Sequence, residues 1–299
     1  MSKTTAFLSA ADRGKVPTEH SDARRAQVAR LDRARILSHL ASQRIGSNLE
    51  ILEEIPSTNT LLMNREPEDA PHGLVLAAEF QSQGKGRQGR RWFAPPRANL
   101  LFSVVLRPKT PLSGLATLAG ACSVIEELEA LGVPARLKWP NDVVARAAHD
   151  QALRDGRKLG GILCESKTEA DGGTRLVLGI GLNVNLSEAD FPREIRTLAS
   201  SVSILLGRLV DRDPLLAGIL NRLDRAWTDL EAHGGETLIR KARFLCDTLG
   251  HLTEVQLGEG RIEGIAEDLD SQGRLVLRLE SGVKRLLEIG EIRQTRRMD

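Results

Sequence analysis

Cysteine is scarce in this chain. Cys122, Cys164 and Cys246 are the three among 299 residues, odd in number, far apart and without metal-ligand spacing. That pattern excludes a disulfide framework and a zinc site, and leaves buried small side chains in a reducing compartment. Long apolar runs are missing as well: nothing approaches the ~18 consecutive apolar residues of a membrane span, and the N-terminus lacks the apolar core of a secretory signal. A cytoplasmic protein is expected. Charge of one sign is nearly balanced away, with 42 Lys+Arg against 40 Asp+Glu and a formal net charge of +2. Bulk binding to nucleic acid or membrane is therefore not implied, and any basic function is local. What remains is ordinary globular composition, 41% hydrophobic, enough for one large domain and a small one.

Residues 1–47 carry nine Lys/Arg against four Asp/Glu. The first twenty mix Ser, Thr, Gly and Pro without hydrophobic periodicity, which predicts a mobile arm. From Ser21, taken as an N-cap, Val28, Leu31, Ala34, Leu37 and Ala41 recur at helical spacing as far as Gly46, predicting one amphipathic helix of about six turns. A single helix is not a helix-turn-helix reader. It serves either packing or an electrostatic contact with nucleic acid or an acidic partner through Arg24, Arg25, Arg30, Arg33 and Arg35. From 48 to 245 strand-like and helix-like stretches alternate, so the expected class is α+β with a mixed sheet. The strands are placed at 74–79, 100–106, 136–139, 161–166 and 176–184, and the helices at 112–131 and 213–232. The polar stretch 144–156 reads as an exposed hairpin tip or insertion. From 246 to 299 the pattern changes to short β runs between Gly-bearing turns, at 253–257, 261–268, 274–279 and 283–288, which predicts a small SH3-like barrel.

Four segments carry chemistry. Gly84-Lys85-Gly86-Arg87-Gln88-Gly89-Arg90-Arg91-Trp92 follows a strand and formally matches a dinucleotide fingerprint. A Rossmann loop runs straight into a helix, however, and Phe93-Ala94-Pro95-Pro96 cannot open one. What is left is either a solvated basic loop or one that wraps an anion with backbone amides and its four cations. Trp92 is either a core residue or a platform for a planar base. Lys138-Trp139-Pro140-Asn141-Asp142 puts a lysine at the end of a strand, and Lys158-Leu159-Gly160-Gly161 puts another before a glycine pair, where backbone and ammonium can both approach a ligand. Gly179-Ile180-Gly181-Leu182-Asn183 sets two glycines on one face of a strand, leaving room for something flat.

Together with Ser57-Thr58-Asn59 and Gln81, these segments occur in the order and approximate spacing of the biotin–protein ligases, and the resemblance covers about 48–295. It implies a mixed-sheet catalytic domain of the biotin/lipoate ligase type followed by an SH3-like β domain. It also implies formation of biotinyl-5′-adenylate from biotin and ATP, with Mg²⁺ on the triphosphate, then transfer to a lysine of a biotin carboxyl carrier protein. Carboxylate attack at the α-phosphorus brings two anions together, so cations must neutralise charge; Arg87, Arg90, Lys138 and Lys158 are the candidates. On this resemblance Ser57, Thr58, Asn59 and Gln81 recognise the ureido ring of biotin, with Gly161, Gly179 and Gly181 alongside. Gly84, Lys85 and Arg87 belong to the loop that closes over the ligand. Lys158 holds the carboxylate, Trp92 stacks near adenine, and Asn141 and Asn183 contact the nucleotide.

There are departures. Lys85 stands where arginine is frequent, keeping charge but losing bidentate geometry. Gln88 replaces another commonly basic position, and the stretch from Asp142 to Lys158 is longer than usual. No winged-helix DNA-binding domain is legible, so repression of genes is not expected. Two rival readings stay open: a lipoate ligase or octanoyltransferase of the same superfamily, and a ligand-sensing DNA-binding regulator that uses the basic N-terminal helix. Monomer and homodimer are equally open.

Overall fold

The computed structural model describes residues 27–109, 112–146, 156–258, 260–288 and 290–297. The predicted mobile arm, Ser21 and the N-terminal part of the predicted helix lie outside them. Within them, the six-turn helix is corrected to two turns: α1 spans Arg33–His39, and its N-cap is Asp32, whose side chain accepts from the amides of Ala34 and Arg35. Of the predicted apolar series only Leu31 is buried; Ala34 and Ala41 are exposed, and the buried residue of the helix is Ile36, which lies outside that series. The described cations of this segment turn inward to the protein. Arg30 pairs with Glu53, Arg35 with Asp211 and Asp213, and Arg33 Nε donates to the Leu49 carbonyl.

A seven-stranded mixed sheet forms the main body, built from β1 (Leu49–Ile55), β2 (Val75–Gln81), β3 (Leu100–Leu106), β4 (Ala135–Lys138), β5 (Asp142–Ala145), β6 (Arg157–Thr168) and β7 (Thr174–Leu182). The strands lie in the order β1-β2-β3-β7-β6-β5-β4. β1 and β2 pair in parallel, and the other pairs are antiparallel. β3, Leu-Leu-Phe-Ser-Val-Val-Leu, is buried along its whole length, which is why it reads as an apolar run rather than an alternation. β1 escaped prediction because three glutamates in seven residues weaken the β signal. The region expected to be an exposed tip begins as strand: Val144 and Ala145 are buried in β5. Residues 147–155 of that hairpin lie outside the described residues.

One face of the sheet carries α3 (Ser113–Ala130), ended by Gly132 at φ 84°, and against α3 lies α5 (Arg212–His233). The buried stripe of α5, Leu216, Leu220, Leu223, Trp227 and Leu230, keeps a three-to-four-residue spacing. The short α4 (Val202–Leu206) follows the sheet's last strand, and α6 (Glu236–Leu245) packs on α3 and α5. The opposite face carries α2 (Thr58–Asn64), which lies across β2, β3, β6 and β7. Arg212 at the start of α5 pairs with Glu79 of β2, both almost fully buried, and Glu79 also accepts from the Leu31 amide. This pair therefore ties the N-terminal segment to both layers.

The last strands form a five-stranded antiparallel sheet in the order β11-β10-β9-β8-β12, from β8 (His251–Leu257), β9 (Gly260–Leu269), β10 (Leu275–Arg278), β11 (Lys284–Leu287) and β12 (Glu291–Arg297). Trp139, expected only as a strand end, joins the two sheets. It is 2% exposed, its backbone amide donates to Thr248 Oγ1, and its indole N–H donates to the Gly273 carbonyl.

Candidate active site

Antiparallel register brings the sequence motifs together. Read across the sheet, Lys138 of β4 pairs with Asp142 of β5, Asp142 with Gly161 of β6, and Gly161 with Gly181 of β7. Side chains in one such row share a face of the sheet. The next row pairs Leu163 with Gly179 and Gly179 with Ser103. Gly161, Gly181 and Gly179 leave a floor without side chains between Leu163 and Ser103 on the face that carries α2.

The ends of the floor differ in chemistry. At one end α2 begins: Ser57 caps it, accepting from the Thr60 amide. Thr58 and Asn59 sit in its first turn, buried. Gln81, at the end of β2, accepts at Oε1 from the Thr58 amide at 2.6 Å and from Thr58 Oγ1 at 3.1 Å, which leaves its Nε2 to donate elsewhere. The hydroxyl of Ser103 bonds both Thr58 Oγ1 and Asn59 Oδ1 at 2.6 Å. All of these groups are neutral. At the other end Lys158 Nζ forms an ion pair with Asp142 at 2.6 Å and lies 5.4 Å from the centre of the Trp92 ring. Lys138, cross-strand from Asp142, brings a second ammonium to the same carboxylate's neighbourhood.

The flat object on the glycine floor is the protein's own Trp92. A Cβ on Gly181 would stand 2.7 Å from Trp92 Cε2, and one on Gly161 3.3 Å from Trp92 Cζ3, so the indole as placed leaves no room for a side chain at Gly181 and only a tight fit at Gly161. Trp92 is neither of the two alternatives in pure form. It is half-buried against the floor, and its indole N–H, buried at that point, has no hydrogen-bond partner among the described residues. Ahead of it, Gly84–Trp92 folds back on itself as a tight loop. The Gly86 amide donates to the Arg90 carbonyl, the Trp92 amide to the Gly84 carbonyl, and Gln88 and Gly89 turn through positive φ. No helix follows this loop, in agreement with the rejected Rossmann reading. Arg87 reaches from its tip to Asn141 Oδ1 at 3.1 Å and to the Gly290 carbonyl at 3.3 Å, touching the second sheet.

A pocket opens where these elements meet, lined by Ser57, Thr58, Asn59, Gln81, Lys85, Trp92, Phe102, Gly161, Leu163, Gly179, Ile180 and Gly181. Most of the sequence-predicted ligand residues are therefore brought together, with Lys158 beside Gly161 at its edge. Gly84, Arg87 and Lys138 do not line it, and three others are held elsewhere. Arg90 is exposed at the loop tip near Gln88. Asn141 donates to the Ile162 carbonyl at 2.7 Å and meets Arg87 rather than the floor. Asn183 is buried, its amide donating to the Ser200 carbonyl. Sequence reasoning missed Ser103, Glu165 and the role of Asp142. A lone serine in the otherwise apolar β3 was a legible signal, because a fully buried hydroxyl needs a partner. Glu165 had none: it shares a face with Gly161 and Leu163 only because β6 continues beyond the floor as far as Thr168.

Comparison with known proteins agrees with this geometry. Residues 51–185 match the model of the biotin/lipoate A/B protein ligase family, and residues 248–292 that of the biotin protein ligase C-terminal domain. A biotin–[acetyl-CoA-carboxylase] ligase of Mycobacterium tuberculosis is 35% identical over 241 residues, covering 77% of this chain and 82% of that protein. The chain belongs to the biotin protein ligases. Another relative, the biotin–[acetyl-CoA-carboxylase] ligase of Paracoccus denitrificans, is 32% identical across 95% of its own length and 78% of this chain. Among solved structures of biotin protein ligases, that of Aquifex aeolicus in complex with biotin and ATP superposes with a TM-score of 0.70 at 30% identity, covering 84% of this chain and 100% of that one. The mixed sheet and the small antiparallel β unit are thus the fold of this family, as its resemblance implied.

Proposed function

We infer that this protein joins biotin to ATP as biotinyl-5′-adenylate and passes the biotinyl group to a lysine of a biotin carboxyl carrier protein. One observation carries the reading: a glycine-floored pocket with neutral donors and acceptors at one end and ammonium groups at the other. A urea-containing ring offers both N–H donors and a carbonyl acceptor, which matches Ser57, Thr58, Asn59 and Gln81. Its acid tail, lying along Gly179, Gly181 and Gly161, ends beside Lys158. A plain acyl chain, as in lipoate or octanoate, would leave the spare capacity of the first end, such as Gln81 Nε2 and the second lone pair of Asn59 Oδ1, unmatched, at about 1–3 kcal/mol for each buried group.

Lys158, released from Asp142, holds the carboxylate as one of its oxygens attacks the α-phosphorus. The bond from that phosphorus to the bridging oxygen breaks, and pyrophosphate leaves. Arg87 and Lys138 neutralise phosphate charge from the loop tip and the strand end, with Arg90 approaching as the loop closes. Trp92 and Asn141 line the nucleotide side once the indole lifts from the floor, while the buried Asn183 braces the end of β7 through the Ser200 carbonyl rather than touching the nucleotide. In the second step the acceptor amine attacks the acyl carbon and AMP leaves, so no nucleophile from this chain is needed. Mg²⁺ arrives on the triphosphate. No group of three or more His, Cys, Asp or Glu that could hold a metal ion occurs among the described residues, and this ion is commonly held through phosphate oxygens, water and one or two carboxylates. Asp142, ion-paired with Lys158, would be the carboxylate available to hold it there.

The same reading places the catalytic unit at 48–245 and the C-terminal β unit at 246–299, and sets the reaction in the cytoplasm, where three free cysteines are stable. The test is pyrophosphate release with ATP plus biotin, compared with ATP plus lipoate or octanoate. Release with biotin alone is expected; release only with lipoate or octanoate would overturn the substrate.

A further inference from the structure

Asn59 is the most constrained side chain of the pocket, and its constraint comes from behind. Its Nδ2 donates to Glu165 Oε2 at 2.8 Å and to the Leu163 carbonyl at 3.2 Å, so both amide hydrogens are engaged. Its Oδ1 accepts from the Ser103 hydroxyl at 2.6 Å and lies directly over Gly179, where even a Cβ would stand only 2.2 Å away. An amide has two orientations that fill the same space but exchange donor and acceptor. Turning Asn59 over would set its oxygen against a carboxylate and a carbonyl, two acceptors with no proton to share. Leu163's carbonyl is part of the β6 backbone and cannot be selected for; Glu165 can. Its charge also draws the N–H hydrogens and strengthens the amide oxygen as an acceptor, as in any chain of hydrogen bonds away from water.

We propose that Glu165 is a positioning residue which locks the Asn59 amide with its oxygen toward the pocket, so that this wall accepts an N–H from the ligand ring and rejects a ring that offers an acceptor there. The role rests on the biotin-ligase reading of the pocket, but it concerns a residue that touches no ligand. Without Glu165 only the Leu163 carbonyl still opposes the turned-over amide, so that orientation costs less and the oxygen left facing the pocket is a weaker acceptor. Losing one hydrogen bond to a charged group is worth roughly tenfold or more in affinity.

The experiment compares steady-state kinetics of Glu165→Leu, Glu165→Ala and Glu165→Gln with the wild type in the pyrophosphate-release assay. The Leu and Ala exchanges are expected to raise KM for biotin about tenfold or more, with kcat and KM for ATP within about twofold of wild type. Glu165→Gln keeps an oxygen that accepts from Asn59 Nδ2 and is expected to stay within about threefold of wild type throughout. A wild-type KM for biotin in the Leu and Ala variants overturns the proposal. So does a fall in kcat with KM unchanged, or a loss of fold in both variants while Glu165→Gln is stable, which would make the residue structural. If the wild-type protein itself releases no pyrophosphate with biotin, the function is wrong; if it does and the variants match it, only the role of Glu165 is.

Discussion

Adding one methyl group to the floor of the pocket tests the geometry more directly than removing a polar side chain. In Gly179→Ala the new Cβ would sit 2.2 Å from Asn59 Oδ1 and 2.9 Å from Asn59 Cγ, against an ordinary contact of roughly 3.5 Å or more. Strand β7 is central, paired with β3 on one side and β6 on the other, so its backbone cannot retreat and Asn59 must turn away. That breaks the bond from Ser103 Oγ and the two donated to Leu163 O and Glu165 Oε2. At about 1 kcal/mol for each neutral bond and about 1.5–3 kcal/mol for the one to a carboxylate, the loss is about 3–5 kcal/mol. Part of it appears as stability, lowering Tm by roughly 2–4 °C per kcal/mol for a chain of this size, and part as lost ligand contact, tenfold in affinity for each ~1.4 kcal/mol. Calorimetric titration with biotin is expected to show binding weakened at least tenfold, with KM for ATP little changed. Gly260→Ala is the control, since its Cβ would meet nothing closer than 3.6 Å, the Leu257 carbonyl, and it is expected to bind biotin normally. Undiminished biotin affinity in Gly179→Ala would refute both the position of Asn59 and its part in the pocket.

Lys158→Ala should lose adenylate formation by orders of magnitude while its Tm stays within a few degrees of wild type, because a partly exposed ion pair contributes about 1 kcal/mol or less; near-normal turnover would remove Lys158 from the mechanism. Burial pushes the Cys122 thiol up to about 12 and raises that of the buried Cys246. The thiolate of Cys122 is then roughly one part in ten thousand at pH 8, so mass spectrometry after iodoacetamide should find both residues unmodified until the protein is denatured, and rapid labelling of the native protein would contradict their burial. His72 is held below its usual range, first by burial and then by the nearby Arg44 guanidinium. Its folded state therefore binds a proton less readily than the unfolded chain, so it contributes stability above the unfolded value near 6.5 that is lost as pH falls below it. His72→Gln should flatten the part of the Tm profile that lies just below about pH 6.5, and an unchanged slope would locate the acid sensitivity elsewhere.

Much of the site was legible because its chemistry lies in contiguous segments. A lysine before two glycines, two glycines at alternate strand positions and a cationic glycine loop each impose a local geometry that the chain adopts wherever it is placed. The apolar runs of β3 and β7 and the stripes of α3 and α5 likewise announce themselves by period. Local signals were weaker where stability comes from outside the segment. β1, with its glutamates, is a strand because β2 offers hydrogen bonds; α2, only seven residues of Thr, Asn, Leu and Met, is helical because Ser57 caps it and the sheet buries it. The long N-terminal helix failed for the converse reason. Of its apolar series only Leu31 is buried, and Glu79, Asp213 and Leu49 accept the polar groups of residues 31–33, contacts that hold the chain extended up to Asp32.

By itself, then, the sequence determined which side chains carry charge, which positions tolerate no Cβ, and in what order these occur along the chain. Tertiary structure alone decided which of them meet. The register of three antiparallel pairings lines Lys138, Asp142, Gly161 and Gly181 in one row, and the packing of loop and helix on it sets Trp92 on the floor and Glu165 behind Asn59, with separations of up to 106 residues along the chain. Strand register is settled by long-range packing, and a slip of one residue would have turned every one of these groups to the opposite face.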